Sequence, residues 1–113
     1  MAGVLHLTRL RCVKPDDSDV DEVKLQIDGK QVWPNEDDGY FSMGTDNEVP
    51  MDIGKFFRGR TVVALYDDEN VGADSRLGEV EFEETSRTPG VARIYGNSGS
   101  KYELWYEIFR VGG

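Results

Sequence analysis

Carboxylates gather in two stretches of this sequence, where together they could bind a hard cation. The first stretch comprises Asp16, Asp17, Asp19, Asp21 and Glu22, and the second comprises Asp67, Asp68, Glu69 and Asp74. Calcium takes about six to eight oxygen ligands from carboxylates, carbonyls and water. Acidic side chains are also common in turns without a metal, because Asp and Asn hydrogen-bond to nearby backbone groups. On residue type alone, both interpretations stay open.

Residues that alternate between apolar and polar surround both acidic stretches and predict the strands that position them. Val23, Leu25 and Ile27 alternate with polar residues, which is typical of a half-buried strand. Asp28-Gly29 then predicts a tight hairpin turn. The expected strands are 4–13, 23–27, 30–33, 49–57, 60–66, 77–83, 91–95 and 101–111, with a further short one at Tyr40-Phe41.

These strands predict an all-β fold, a single antiparallel β-sandwich of about seven or eight strands. No segment repeats apolar residues at helical spacing over three turns. The 113 residues, 38% of them hydrophobic, suffice for a modest core, so we expect one domain that spans residues 1–113. On the first strand, Leu5, Leu7 and Val13 are expected to share one face. If both acidic stretches share an end of the sandwich, their carboxylates repel one another unless a counter-cation is present.

The charge and length of the chain argue against several classes of function. With 22 acidic and 13 basic residues, the formal net charge is −9. Binding to nucleic acid, and unaided binding to anionic lipid, both need clustered Lys and Arg, so neither is expected. No apolar run approaches the roughly 20 residues that cross a bilayer. The N-terminus shows no signal peptide, so we expect a cytoplasmic protein.

The residues that enzymes use as nucleophiles and bases are badly placed here. His6 and Cys12 are the single histidine and the single cysteine. On one extended strand they lie roughly 20 Å apart at about 3.3 Å per residue, whereas a nucleophile and its base must come within about 3 Å. A single cysteine also excludes an internal disulfide and a cysteine-based zinc site. Acids occur throughout the chain, so no carboxylate pair stands out as an acid and base, and we expect a non-catalytic protein.

Residues 59–80 resemble the later half of a C2 domain. In that family a strand ends in Asp-x-Asp, a calcium loop follows, and an apolar residue with a glycine opens the next strand. Here Asp67-Asp68-Glu69 and Leu77-Gly78 hold those places, and residues 21–30 are similar to the strand that follows the family's first calcium loop. The resemblance implies a C2-like β-sandwich that binds calcium. The ligands it favours are Asp67 and Glu69, followed by Asp21, Asp16 and Asp74.

Several positions depart from the family pattern. Glu69 replaces the second Asp of the pair, and Asp74 lies one residue before the family's last loop acid, with Ser75 at the matching place. The Ser-Asp-Pro-Tyr tetrad is absent from the first stretch, so Asp21 is an approximate counterpart. The basic strand that many C2 domains use for phosphoinositides is not evident. Its nearest equivalent is Lys55, Arg58 and Arg60, interrupted by Phe56-Phe57.

The predicted function is a non-catalytic binding module whose acidic loops coordinate calcium and then bind phospholipid or a partner. The alternative is a metal-free protein-interaction or structural module, a subunit or accessory domain of a larger assembly, which docks through a sheet edge or an aromatic patch. Carbohydrate binding through Trp33 or the final strand is a third option. Against it, alternation on that strand places Tyr102 and Tyr106 opposite Trp105, which favours structural packing of these rings.

Overall fold

Two antiparallel β-sheets make up the structure. The computed structural model describes residues 2–16, 19–35, 39–68 and 74–112. Within these ranges the sequence forms strands only, so none of them contains a helix that could cross a membrane. The nine strands of the described part are β1 (Ala2–Lys14), β2 (Val20–Ile27), β3 (Lys30–Trp33), β4 (Phe41–Gly44), β5 (Glu48–Phe57), β6 (Arg60–Asp67), β7 (Ser75–Glu83), β8 (Gly90–Tyr95) and β9 (Lys101–Val111).

The strands divide between a four-stranded and a five-stranded sheet. Sheet A has the order β5-β1-β9-β8, and sheet B has the order β3-β2-β6-β7, with β4 also paired to β2. The all-β sandwich predicted from the sequence is thus confirmed, with nine described strands where about seven or eight were expected. The short strands β3 and β4 pair with opposite halves of β2, and β4 spans Phe41–Gly44 where the sequence predicted a short strand at Tyr40-Phe41.

Apolar side chains from both sheets meet in one core. Period-two alternation explains the arrangement, because it turns every second residue of a strand toward the facing sheet. The largest fully buried side chains are Tyr102, Leu5, Leu7, Leu10, Leu25, Met43, Leu65, Leu77, Ile94, Leu104, Val23 and Val63. The core thus draws on both sheets, and the loops at the two ends of the sandwich remain outside it.

A β-bulge in β1 changes which residues of that strand reach the core. The register of β1 against both neighbouring strands shifts between Leu7 and Arg9. An extra residue in a strand reverses the facing of everything that follows it. Leu10 and Cys12 are consequently buried, whereas Val13 is only partly buried. The prediction that Val13 shares the buried face of Leu5 and Leu7 was wrong for this reason.

The hairpin predicted at Asp28-Gly29 joins β2 to β3. Asp28 and Gly29 both have positive φ angles, of 51° and 83°, as a type I′ turn requires. The Asp28 carboxylate accepts hydrogen bonds from the Thr61 hydroxyl at 2.8 Å and from the Val62 amide at 2.9 Å. These two contacts fasten the turn to the start of β6.

Gly78 lets the two sheets approach each other at the β7 and β8 edges. Its φ angle is 133°, and a Cβ atom there would lie 2.7 Å from both the Ile94 Cγ2 methyl and the Tyr95 carbonyl oxygen. The Ser100 hydroxyl also donates to the Leu77 carbonyl at 3.2 Å. A glycine is required at this position because any side chain would collide with the backbone of the other sheet.

Candidate functional site

The pairing of β2 with β6 brings the described residues of the two acidic stretches to the same end of the sandwich. Val23 lies opposite Asp67 in the register, so the first residues of β2 adjoin the last residues of β6. The Asp68 amide donates to the Glu22 carbonyl at 2.8 Å. We call the described residues Asp16, Asp21, Asp67, Asp68 and Asp74 the acidic end. Glu69, the other favoured ligand, lies outside the described residues.

Asp21 is a fully buried carboxylate that is satisfied by donors from the protein. It is 0% exposed. The Asp16 amide donates to its two oxygens at 3.0 and 2.9 Å, and the Tyr102 hydroxyl donates to Oδ2 at 2.5 Å. A carboxylate can be buried at tolerable cost only when such donors replace water. Asp21 thus links the first acidic stretch to the final strand β9.

Asp67 is the second inward-facing carboxylate of the acidic end. It is 2% exposed, and the Glu22 amide donates to its Oδ1 at 2.8 Å. This hydrogen bond and the one from the Asp68 amide to the Glu22 carbonyl hold the start of β2 against the end of β6. Asp67 therefore has a structural role in the fold that is independent of calcium binding.

The groups that neighbour Asp21 stay protonated. Burial, together with the hydrogen bond to Asp21, raises the pKa of Tyr102 far above its ordinary value, so its hydroxyl remains a donor. Burial likewise raises the pKa of the Cys12 thiol. His6 lies elsewhere on β1 and contacts Asp52 at 2.6 Å through Nε2. Cys12 is therefore a neutral core residue, and His6 belongs to the surface of sheet A.

Lys24 neutralises the outward-facing part of the acidic end. Its neighbours Val23 and Leu25 face the core, so its side chain leaves β2 on the outer face of sheet B. The Lys24 ammonium lies 2.8 Å from Asp68 Oδ1 and 3.1 Å from Asp74 Oδ2. Its side chain is only 7% exposed. The hydrogen bond to Asp68, followed by the one to Asp74, raises the pKa of Lys24, so the ammonium stays charged.

The described carboxylates do not form a donor set that fits calcium. Asp21 and Asp67 face inward and accept hydrogen bonds from the protein, whereas Asp68 and Asp74 face outward and hold a lysine. Among the residues whose positions the structure describes, no group of three or more His, Cys, Asp or Glu could hold a metal ion. The ligand roles expected of Asp67, Glu69, Asp21, Asp16 and Asp74 stay predictions.

A row of three apolar side chains, with an exposed phenyl ring at each end, crosses the outer face of sheet A. Val4 lies opposite Phe56 on one side and opposite Phe109 on the other. Phe56 is 51% exposed and Phe109 is 53% exposed. The Arg58 guanidinium carbon lies 5.6 Å from the centre of the Phe56 ring. We call Phe56, Val4 and Phe109 the aromatic row. These residues lie on three different strands, and the sequence alone does not show that the strands pair in a way that makes them neighbours.

The two tryptophans serve mainly to pack the structure. Trp33 contacts Phe41, with ring centroids 5.4 Å apart, and packs against the core. The Arg9 guanidinium carbon lies 4.4 Å from the centre of the Trp105 ring. Beside Trp105 is a shallow groove of about 280 Å³ whose lining includes Val91 and Tyr106. The partial burial of both indole rings favours the structural interpretation of these residues over a carbohydrate platform.

Comparisons with known proteins support the fold. No protein-family model matches the sequence, and no curated protein matches it. A solved C2 domain is similar over 96% of this chain and 97% of its own, with 16% identity and a TM-score of 0.51. The C2A domain of plant Extended Synaptotagmin 1 is 13% identical over 97% of this chain and 96% of its own, with a TM-score of 0.44.

A third match is human GIVD cytosolic phospholipase A2. It is 13% identical with a TM-score of 0.46, over 98% of this chain but only 17% of the human one. At these identities the likeness concerns the fold, and it is the first comparison, with a TM-score of 0.51, that supports it. The chain therefore has a C2-like β-sandwich fold, as its resemblance to C2 domains implied.

Proposed function

We propose that this chain is a non-catalytic binding module that docks onto a protein partner through the aromatic row of sheet A. The observation that carries the proposal is the exposure of Phe56 and Phe109, at 51% and 53%, on either side of Val4. Fully burying a large apolar side chain contributes about 1.5–3 kcal/mol. About half of that contribution is still unused on each of these rings, and a partner surface would supply it.

The surroundings of the aromatic row suit a protein interface. Aromatic residues and arginine are enriched where binding energy concentrates in such interfaces. The Arg58 guanidinium lies against Phe56. The partner expected from this chemistry has an apolar centre with a carboxylate beside it. The net charge of −9 argues against an anionic membrane as the partner.

This function does not require calcium. Calcium-dependent binding, in which the metal bridges Asp67 and its neighbours to lipid phosphate or to an acidic partner, is the second candidate. Its support is that both acidic stretches lie at one end of the sandwich. Its difficulty is that the described carboxylates already accept hydrogen bonds from the protein or hold Lys24. Calcium coordination is therefore a prediction, separate from docking through sheet A.

The docking proposal is tested with a Phe56→Ser, Phe109→Ser double variant. Proteins that the wild-type chain retains from its own cells are identified, purified and titrated against both forms. We expect at least a tenfold loss of affinity in the double variant. The matched control is Tyr95→Ser, which removes a 60% exposed ring from β8 outside the row. Equal affinities of all three forms would refute the proposal.

Vesicles separate the second candidate from the first. Phosphatidylserine vesicles are sedimented with the protein in millimolar calcium and in excess chelator. If the chain docks onto a protein through the aromatic row, little of it should sediment with the vesicles under either condition. Calcium-dependent sedimentation that is lost in Asp67→Asn but kept in Glu81→Gln would instead favour the calcium-dependent function.

A further inference from the structure

We infer that Lys24 is a built-in counter-cation, which takes over at the acidic end the charge neutralisation that a divalent metal was expected to provide. The resemblance to C2 domains implies calcium at this end, and the carboxylates that the structure describes there do not fit it. A cation is nevertheless there, covalently attached to β2. The inference concerns the acidic end alone and is independent of docking through the aromatic row.

The position of Lys24 supports this role. Asp68 directly follows β6 and Asp74 directly precedes β7, so the two carboxylates belong to opposite ends of the connection between those strands. One ammonium group lies within 2.8 Å of the first and 3.1 Å of the second. Lys24 therefore ties both ends of this connection to the neighbouring strand β2.

Because the Lys24 side chain is nearly buried, water cannot easily take the place of its ammonium group beside the two carboxylates. Its side chain is 7% exposed, while Asp68 and Asp74 are 21% and 30% exposed. Removing one partner of a buried ion pair is strongly destabilising, because the remaining charge is left uncompensated. Without Lys24, two carboxylates would face each other in a poorly hydrated place. A hard divalent cation with oxygen preference is the ligand class that such a pair would then recruit.

The test is a Lys24→Met variant, which keeps most of the apolar stem and removes the ammonium group. Thermal unfolding is followed in millimolar calcium, in magnesium and in excess chelator. For the wild-type protein we expect the same Tm in all three. For Lys24→Met we expect a lower Tm in chelator, and an increase of at least about 4 °C when calcium is added, where 4 °C is equivalent to roughly 1 kcal/mol in a domain of this size.

Two further variants make the result specific. Lys101→Met removes an exposed lysine from the start of β9, and it should leave both the Tm and the calcium response as in the wild type. Adding Asp68→Asn and Asp74→Asn to Lys24→Met removes the two negative charges that the Lys24 ammonium contacts. This triple variant should recover stability in chelator and lose the response to calcium, and it stays informative if Lys24→Met alone does not fold.

Three outcomes would overturn the inference. The first is a wild-type protein that calcium stabilises as much as it stabilises Lys24→Met. The second is a folded Lys24→Met protein whose Tm does not respond to calcium. The third is a triple variant that is no more stable in chelator than Lys24→Met, since the loss would then come from packing and not from charge.

Discussion

The acidic end and the aromatic row differ in how far their side chains are already engaged within the protein. At the acidic end, Asp21 accepts hydrogen bonds from an amide and a phenol, and Asp68 holds Lys24. On sheet A, Phe56 and Phe109 leave about half of their surface in water. The acidic end is prominent in the sequence because charged residues cluster there, yet its described charges are matched internally. The aromatic row is inconspicuous in the sequence and keeps the more available surface.

The interaction energies expected in the two regions agree with this difference. Hydrogen bonds to a charged group contribute about 1.5–3 kcal/mol each, so the bonds to Asp21 support the folded state. A side chain that is engaged in this way must lose that stabilisation before it can bind something else. An exposed aromatic ring loses nothing comparable when a partner covers it. The acidic end thus stabilises the folded state, whereas sheet A presents the surface that we propose for recognition.

The largest effect that tests this comparison is expected from Asp21→Ala. The substitution leaves the buried Tyr102 hydroxyl and the Asp16 amide without their acceptor, and we expect it to lower the free energy of unfolding by about 3 kcal/mol. The measurement is urea denaturation of the purified variant. Glu81→Ala is the control, because Glu81 is 45% exposed and pairs with Arg60, which is 73% exposed; it should cost at most about 1 kcal/mol. Similar costs for both variants would remove the structural role assigned to the acidic end.

A smaller effect is expected at alkaline pH. The pKa of Lys24 is raised from its ordinary value of 10.5, and that of Tyr102 from 10.0. A group with a raised pKa in the folded state contributes its full stability below its unfolded pKa and loses it as the pH rises toward the folded value. The buried Cys12 thiol, whose pKa is raised from 9.0, adds an earlier loss, so stability should be constant from pH 7 to about 8 and fall above about pH 9.

Urea denaturation between pH 7 and 11 measures this fall. Tyr102→Phe removes one of the three groups with a raised pKa, so its loss of stability between pH 9.5 and 11 should be smaller than that of the wild type. Tyr95→Phe is the matched control, since the Tyr95 ring is 60% exposed on β8, and it should keep the wild-type pH profile. Identical profiles for the wild type and Tyr102→Phe would contradict the role of the buried phenol.

Local patterns allowed much of the fold to be predicted. Period-two alternation located the strand cores, and Asp28-Gly29 located the hairpin, because both signals depend on neighbouring residues only. The bulge between Leu7 and Arg9 has no comparable local signal, and it moved Leu10 and Cys12 into the core. A shift of one residue was enough to reverse a whole strand segment.

The candidate site was less predictable because its contacts are distant in sequence. Tyr102 and Asp21 are 81 positions apart, and Lys24 and Asp74 are 50 positions apart. The clustering of acids was visible in the sequence, but their partners depended on strand pairing. A basic residue at an outward position of β2, between two acidic stretches, was the one sequence signal for Lys24. The aromatic row likewise depends on the order β5-β1-β9 in sheet A.

The smallest effect on stability is expected from the aromatic row itself. Phe56→Ala and Phe109→Ala should each change the free energy of unfolding by no more than about 1 kcal/mol, because both rings are half exposed. Phe57→Ala is the matched control on the same strand: Phe57 is 5% exposed, and losing a buried phenyl ring costs about 3–5 kcal/mol. Urea denaturation of the three variants gives the comparison directly. If Phe56→Ala were as costly as Phe57→Ala, the row would contribute to folding, and its exposure would no longer argue for a surface kept for a partner.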